Sequence, residues 1–137
     1  MSELGLSRRR ARERSLEILY ESAIKERSVA AVLSELNTRP DAYAVALVTS
    51  ASQNQGQADA LISEFSIDWP LERIALVDRL IMTLAIGEML MENAPPVAVI
   101  LDEAVELAKV YSTDGSPPFV NGVLSSVSQR LFNKEEH

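Results

Sequence analysis

The stretch between Ile74 and Met91 constrains the fold more than any other part of the sequence, because it is almost entirely apolar. Its only charged residues are Asp78, Arg79 and Glu88. A helix that is apolar on nearly every side is normally buried among other elements. We therefore predict a central, buried helix over Leu71–Asn93.

Helical periodicity continues through most of the remaining chain, and no segment alternates as a half-buried strand does. The other predicted helices are Ser7–Arg27, Ser28–Leu36, Asp41–Ser66, the segment from the Asn93–Pro96 break to Tyr111, and a last helix that starts at Pro117. Gly56 marks a weak point or kink in the third helix, because glycine lowers helix stability. The sequence thus predicts an all-α protein, a compact bundle of about six to seven helices.

Length and composition fit a single domain over residues 1–137. There is no cysteine, which fits a reducing compartment. The N-terminus lacks the apolar run of a signal peptide, and Leu80–Met91 is well short of the roughly 20 residues that cross a bilayer. We expect a soluble, cytoplasmic protein without a membrane partner, in which residues 1–6 and 134–137 are disordered ends.

Residues that could perform catalysis are scarce. The single histidine is His137, and the five glycines are too far apart to form a phosphate-binding loop. Asp102, Glu103 and Glu106 are compatible with a Mg²⁺ site, but a solvated helix face with a Glu106–Lys109 ion pair is the favoured interpretation. We expect no catalytic residue, metal or cofactor, and so no enzyme.

The strongest functional signal is a cluster of arginines near the N-terminus. Its members are Arg8, Arg9, Arg10, Arg12 and Arg14. With two glutamates they give residues 1–14 a net charge of +3, whereas the whole chain carries −7, which leaves −10 on residues 15–137. Arginine forks match phosphate oxygens, so this segment is expected to bind a polyanion such as RNA.

The position of these arginines on the helical wheel suggests how they are presented. Arg8 and Arg12 continue the inner, partly apolar line of the first helix. Because arginine is rarely buried without a partner, we predict that the first turns extend beyond the packed body as an arm. The alternative is a frayed helix start without a ligand.

Single-stranded RNA is also bound by aromatic side chains on which bases stack. Tyr20, Tyr111 and Phe119 are the candidates. Each lies on or near an apolar stripe, where an aromatic residue is more often part of the core. Base stacking and core packing therefore both remain open for them.

Four blocks of sequence, in this order, resemble the NusB family of transcription antitermination factors. They are Arg8–Glu13 with Leu19-Tyr20 behind it, the central helix from Leu71 to Leu90, the run Asp102–Lys109 with E-A-V-E-L-A-K, and Phe119–Leu124 with F-V-N-G-V-L. Together they cover most of residues 7–131. The match is weak between residues 28 and 66.

The resemblance implies two small helical bundles packed together and a non-catalytic function. It implies that the chain binds the boxA element of nascent ribosomal RNA transcripts, jointly with the ribosomal protein NusE. This complex would associate with RNA polymerase and help it read through terminators. The RNA-binding residues carried over by position are Arg8, Arg9, Arg10, Arg12, Tyr20, Tyr111 and Phe119.

The resemblance also implies roles for residues outside the RNA-binding set. Asp78 is expected to bind the partner protein. Gly122 is expected to make a close helix contact, and Asn121 to form a hydrogen bond with the backbone.

Several positions depart from the family pattern: Met82 replaces a leucine, and three others change charge. Thr83 and Pro118 stand where the family usually has basic residues, and Gly115 stands where it usually has an acidic one. The loss of two positive charges is expected to weaken the RNA-facing edge. The alternative function is therefore a helical protein-interaction domain of the same fold that has lost specific RNA binding. A homodimer that masks the arginines is a further possibility.

Overall fold

Seven α-helices make up residues 2–133, the part of the chain that this computed structural model describes. They are α1 (Glu3–Lys25), α2 (Val29–Glu35), α3 (Ala42–Gln53), α4 (Gln55–Phe65), α5 (Leu76–Met89), α6 (Val97–Tyr111) and α7 (Ser116–Phe132), with one turn of 3-10 helix at Leu71–Arg73 before α5. No strand occurs in this range, so the all-α prediction is confirmed. Met1 and residues 134–137, which include His137 and the tail expected to be disordered, lie outside the described residues.

Helix α5 is the centre of the molecule, as its apolar sequence predicts. Every residue from Leu80 to Met89 is buried, and the helix contacts α1, α3, α4, α6 and α7. Its start is later than expected, because the chain from Leu71 first forms the 3-10 turn. No helix within residues 2–133 is both long and apolar enough to span a bilayer.

The helix contacts fall into two groups that share α5. Helices α1, α2 and α3 contact one another, whereas α4, α6 and α7 pack around the other sides of α5. The most extensive of these interfaces is the α6–α7 hairpin. The arrangement agrees with two small helical bundles packed together.

Helix α1 begins earlier than the sequence suggested. The hydroxyl of Ser2 accepts a hydrogen bond of 3.0 Å from the Gly5 amide, and Glu3 adds a negative charge to the first turn. Both stabilise a helix N-terminus. The predicted start at Ser7 was therefore wrong, and residues 3–6 are helical rather than disordered.

The predicted third helix is two helices that meet at Asn54. The Asn54 side-chain amide donates a hydrogen bond of 2.8 Å to the Ser50 carbonyl at the end of α3. Gly56 lies in the first turn of α4, so the break falls two residues before the predicted weak point. An asparagine that satisfies a helix terminus decides this boundary, not the flexibility of glycine.

Glycine does set one close helix contact, at Gly87. A Cβ atom there would lie 2.8 Å from the backbone N and Cα of Ala51, so α3 and α5 approach closely only without a side chain at this position. The close contact predicted for Gly122 was wrong, because a Cβ atom there would meet nothing within 4 Å. Asn121 is also exposed, and its side chain forms no hydrogen bond with the described residues.

Candidate nucleic-acid interface

Arg12 lies on the inner side of α1, with 5% of its side chain exposed. Its Nε and Nη2 donate hydrogen bonds of 2.8 and 2.7 Å to the two carboxylate oxygens of Glu88 on α5. Burial lowers the pKa of Arg12, but the hydrogen bonds and charge of Glu88 outweigh it and raise the pKa overall. Only 2% of the Glu88 side chain is exposed, so the two charges compensate each other out of water.

Arg9 and Arg12 share Glu103 on α6. Arg9 donates from Nε and Nη2 at 3.1 and 2.6 Å, and Nη1 of Arg12 adds a longer hydrogen bond of 3.3 Å. The hydrogen bonds from Arg9, together with both positive charges, hold the pKa of Glu103 below its ordinary value. Arg9 remains 38% exposed, so one side of its guanidinium faces solvent.

Tyr43 on α3 connects this buried pair to the surface. Its hydroxyl donates a hydrogen bond of 2.6 Å to Glu88, and its ring lies under the guanidinium of Arg8, 4.6 Å from the ring centre. Burial, followed by the hydrogen bond to Glu88, raises the pKa of Tyr43 to about 12. Tyr43 stays neutral and holds Arg8 by a cation–π contact.

The outward positive charge belongs to Arg8, Arg9 and Arg10, which we call the arginine face. Arg10 is exposed, and neither it nor Arg8 forms an ion pair with any residue between 2 and 133. Arg14 points elsewhere and pairs with Glu17 at 3.2 Å. The prediction of a free arm was wrong, because buried ion pairs anchor the first turns of α1 to α5 and α6.

The acidic run on α6 divides between two roles. Glu106 and Lys109 form the predicted surface pair at 3.3 Å, and Asp102 is exposed. Glu103 instead faces α1, so the interpretation of the whole run as a solvated face was wrong for this residue. Among the described residues, no cluster of carboxylates and histidine is arranged to hold a metal ion.

Tyr20 and Tyr111 lie together in an apolar groove between α1 and α6. The groove has a volume of about 550 Å³, and Leu16, Ile24 and Val77 complete its apolar lining. Its rim carries Glu13, Glu17, Glu21 and Lys25. We call it the acid-rimmed groove; its net charge disfavours phosphate and suits a basic, partly apolar partner.

Phe119 and Asp78 line a different and smaller pocket of about 330 Å³. Its lining also includes Trp69 and Arg73, and we call it the tryptophan pocket. The Asp78 carboxylate accepts hydrogen bonds from the hydroxyls of Ser112 and Ser116, the second at 2.8 Å. Asp78 is buried and holds the α6–α7 loop, which leaves its oxygens little capacity for a partner protein.

The residues predicted for one site thus occupy three places on the surface. Glu88, beneath the arginine face, and Asp78, in the tryptophan pocket, are separated by ten residues of α5. At 1.5 Å per residue this places the two ends roughly 15 Å apart along the helix. The two places are therefore too far apart for a single base to contact both.

The sequence analysis did not identify Tyr43 and did not pair Arg12 with Glu88. For the pair of Arg12 and Glu88, a signal was present in the sequence. An arginine on an inner helix line and a lone glutamate in a buried helix are each unfavourable alone. The two together predict a buried pair. No comparable signal in the sequence points to Tyr43, because its contact with Glu88 depends on the packing of α3 against α5.

The departures from the family pattern fall in different environments. Thr83 is buried in the core, so an uncharged residue there removes no charge from an exposed edge of this protein. Pro118 lies exposed in the first turn of α7, and Gly115 precedes that helix. Only the Pro118 position bears on surface charge near Phe119.

The sequence model of a protein family, the NusB family, matches residues 9–129 of this chain, from the arginine face to the last turns of α7. The chain belongs to the NusB family. It is 40% identical to the transcription antitermination protein NusB of Acidothermus cellulolyticus over 125 residues, 88% of this chain and 86% of that protein. The NusB of Bacillus pumilus is 35% identical and covers 92% and 98% of the two chains. NusB proteins are non-catalytic transcription antitermination factors.

Solved NusB structures share the fold. The NusB of T. maritima is 33% identical, with a TM-score of 0.79 over 89% of this chain and 90% of that one. A crystal structure of NusB and NusE in complex with double-stranded RNA contains a chain that is 23% identical, with a TM-score of 0.75 and coverage of 90% and 97%. The second similarity extends to the fold only.

Proposed function

We propose that this cytoplasmic protein, jointly with NusE, binds a boxA-like element of nascent ribosomal RNA. This complex then helps RNA polymerase to read through terminators. The observation that carries the RNA-binding role is the arginine face on a protein of net charge −7. Glu103 holds Arg9, the ring of Tyr43 supports Arg8, and the buried Arg12–Glu88 pair fixes α1 beneath them, so their charge is presented on a folded surface and not on a mobile arm.

The arginine face suits phosphate for two reasons. Arg8 and Arg10 have no acidic partner among residues 2–133, and Arg9 presents its exposed side beside them. Positive charges in the first turns of a helix oppose its dipole, so an anionic ligand there relieves an unfavourable arrangement. In this proposal Arg12 acts from beneath, by fixing α1, and does not contact the RNA.

The acid-rimmed groove is the proposed docking surface for NusE. Its exposed apolar side chains, Tyr20, Ile24 and Tyr111, have no partner within the described chain that covers them. The glutamates on its rim favour a basic partner and disfavour RNA. The solved complex of NusB, NusE and RNA, which shares the fold, supports a joint complex of this kind.

Two adjacent binding surfaces give the complex more affinity than either alone. RNA held on the arginine face would lie within reach of a protein docked in the groove on the same helix. Binding of both partners then becomes partly intramolecular, which raises the overall affinity without new contacts on this chain. We therefore expect NusE to tighten RNA binding.

A fluorescence anisotropy titration with labelled boxA-like RNA, with and without NusE, tests the proposal. We expect the chain to bind this RNA in a salt-sensitive manner, and NusE to raise the affinity. A scrambled RNA of equal length should bind more weakly. A double-stranded RNA in parallel tests whether the single strand is preferred. Absence of binding at low salt, both with and without NusE, would contradict the proposed function.

The second candidate is a protein-interaction domain without specific RNA binding, which the exposed Pro118 in place of a basic residue favours. In that case the Arg8→Ala/Arg10→Ala variant would bind its protein partner as the unmodified chain does. The variant would bind RNA weakly, with the same affinity for every RNA sequence. A homodimer through the acid-rimmed groove is the competing occupant of that surface. Sizing by light scattering, with and without NusE, distinguishes the two occupants.

A further inference from the structure

Trp69 is the only tryptophan of the chain, and its side chain is held at the surface. It is 53% exposed in the loop between α4 and the 3-10 turn. The buried Ser66 braces this loop, since its carbonyl accepts a hydrogen bond of 3.0 Å from the Trp69 amide and its hydroxyl donates one of 3.1 Å to the Trp69 carbonyl. The backbone that carries this half-exposed indole ring is therefore fixed, and the ring is available for a ligand.

The surroundings of Trp69 combine three kinds of chemistry. Phe119 supplies a second aromatic side chain, and Arg73 supplies a positive charge without an ion pair among residues 2–133. Beneath them, Asp78 and the hydroxyl of Ser116 form a polar floor fixed by their own hydrogen bond of 2.8 Å. The pocket of about 330 Å³ is at the small end of ligand sites, which suits one planar group.

We propose that the tryptophan pocket binds one unstacked nucleobase of the RNA. The base stacks on Trp69 beside Phe119, and Arg73 contacts the adjoining phosphate. This inference rests on the proposed RNA-binding function and deepens it. Aromatic rings accept any base face, whereas arginines on the arginine face contact only the backbone.

The position of the pocket fits this role. It lies roughly 15 Å along α5 from the ion pair beneath the arginine face, as the helical rise gives for ten residues. A strand with phosphates on Arg8 and Arg10 would have to cross a distance of this order to place a base on Trp69. A base held in the pocket would fix the register of the strand, which the arginine face alone cannot do.

Because Trp69 is the single tryptophan, its intrinsic fluorescence reports on the pocket directly. Labelled boxA-like RNA should be titrated into the full-length chain while RNA anisotropy and tryptophan emission are recorded together. We expect emission to be quenched along the same curve as the anisotropy. The Arg8→Ala/Arg10→Ala variant should bind more weakly but reach the same quenching at saturation.

Substitution of Trp69 gives the matched affinity test. Trp69→Leu removes the stacking surface but keeps apolar bulk, and we expect roughly a 5- to 150-fold loss of RNA affinity. Trp69→Phe keeps an aromatic ring and should stay within a few fold of the unmodified chain. Circular dichroism of both variants checks that the helices are intact, and Arg73→Ala should reduce the salt dependence of binding.

The outcomes separate the pocket from the proposed function. If RNA binds by anisotropy while Trp69 emission and the affinity of Trp69→Leu are unchanged, the pocket proposal is wrong and the RNA-binding function stands. If NusE alone quenches Trp69, and Trp69→Leu weakens NusE but not RNA, the pocket belongs to the protein partner and the proposal is again wrong. If no RNA binds at low salt, with or without NusE, both proposals fail.

Discussion

The two halves of helix α1 differ in how their side chains are used. In the first half, arginines reach inward to Glu88 and Glu103 or rest on Tyr43, so that charge is organised by partners from three other helices. In the second half, Tyr20 and Ile24 stay exposed above an apolar floor, with glutamates around them. One helix therefore presents a positive surface at one end and an acidic, apolar groove at the other.

This difference teaches that charge alone does not define a binding surface. Five arginines in sequence look equivalent, yet Arg12 is structural, Arg9 is shared between Glu103 and solvent, and Arg14 pairs with Glu17. What distinguishes Arg8 and Arg10 is the absence of a carboxylate partner among residues 2–133. The difference in stability contribution between the buried and the exposed ion pairs of α1 can be tested directly.

The largest expected effect is on stability, from Glu88→Ala. The change leaves the buried Arg12 with only its longer hydrogen bond to Glu103, which is expected to lower the free energy of unfolding by about 3–5 kcal/mol. Urea denaturation followed by circular dichroism measures it. Glu17→Ala breaks the exposed pair with Arg14 on the same helix and should cost no more than about 1 kcal/mol. Equal costs for the two variants would mean that the first half of α1 is not anchored from within.

A second test concerns the packing that brings Tyr43 to the arginine face. Gly87→Ala puts a Cβ atom against the backbone of Ala51, and we expect a loss of about 1–3 kcal/mol in the free energy of unfolding. Gly122→Ala is the control, because the added methyl group meets open space and alanine favours a helix by about 0.5–1 kcal/mol. If both variants were stabilised, α3 and α5 could not be as close as the structure places them.

These two tests concern contacts between helices, and such contacts are where prediction from the sequence fails. The buried α5 and the helices α2, α6 and α7 follow from local apolar periodicity and from serine and proline at helix starts. The division at Asn54 and the contact at Gly87 depend on which neighbour a residue meets, which no local pattern encodes. Gly122 was assigned the close contact that belongs to Gly87 because a motif carries no information on distance.

The candidate site could be predicted only as a set of residue types. Arg10 is exposed as expected and Arg8 is half-buried, but Arg12 is buried, and the aromatic candidates lie in two separate pockets. Trp69 and Arg73 were absent from the predicted set, since a turn between helices shows no periodic signal. Folding brings them beside Phe119, which is 50 residues from Trp69 in the chain.

A third prediction separates the two halves of α1 by partner. Tyr20→Ser combined with Ile24→Ser should weaken NusE binding roughly tenfold or more, because exposed apolar anchors of this kind dominate interface energies. Calorimetry with NusE measures this loss. RNA binding without NusE should change less than twofold. Phe132→Ser is a control of equal exposure, 46% against 45% for Tyr20, and should affect neither partner.

The smallest expected effect concerns pH. The pKa of Tyr43 is raised from 10.0 to about 12, so its neutral form is favoured in the folded protein. Because the folded-state pKa is the higher one, this contribution to stability is complete below pH 10 and is lost as the pH rises to about 12. Ultraviolet absorbance of tyrosinate, compared with Tyr43→Phe, measures it. A difference spectrum that titrates fully near pH 10 would show that Tyr43 is not bonded to Glu88.

The salt dependence of RNA binding tests the central claim most directly. Affinity for boxA-like RNA should be measured from low to moderate salt for the unmodified chain, for Arg8→Ala/Arg10→Ala, and for Lys25→Ala/Arg27→Ala at and just beyond the other end of α1. We predict that the logarithmic slope falls by about 0.7 for each phosphate that the first variant no longer neutralises, and that it is unchanged in the second. Equal slopes for all three proteins, or an equal fall in both variants, would contradict the assignment of RNA to the arginine face.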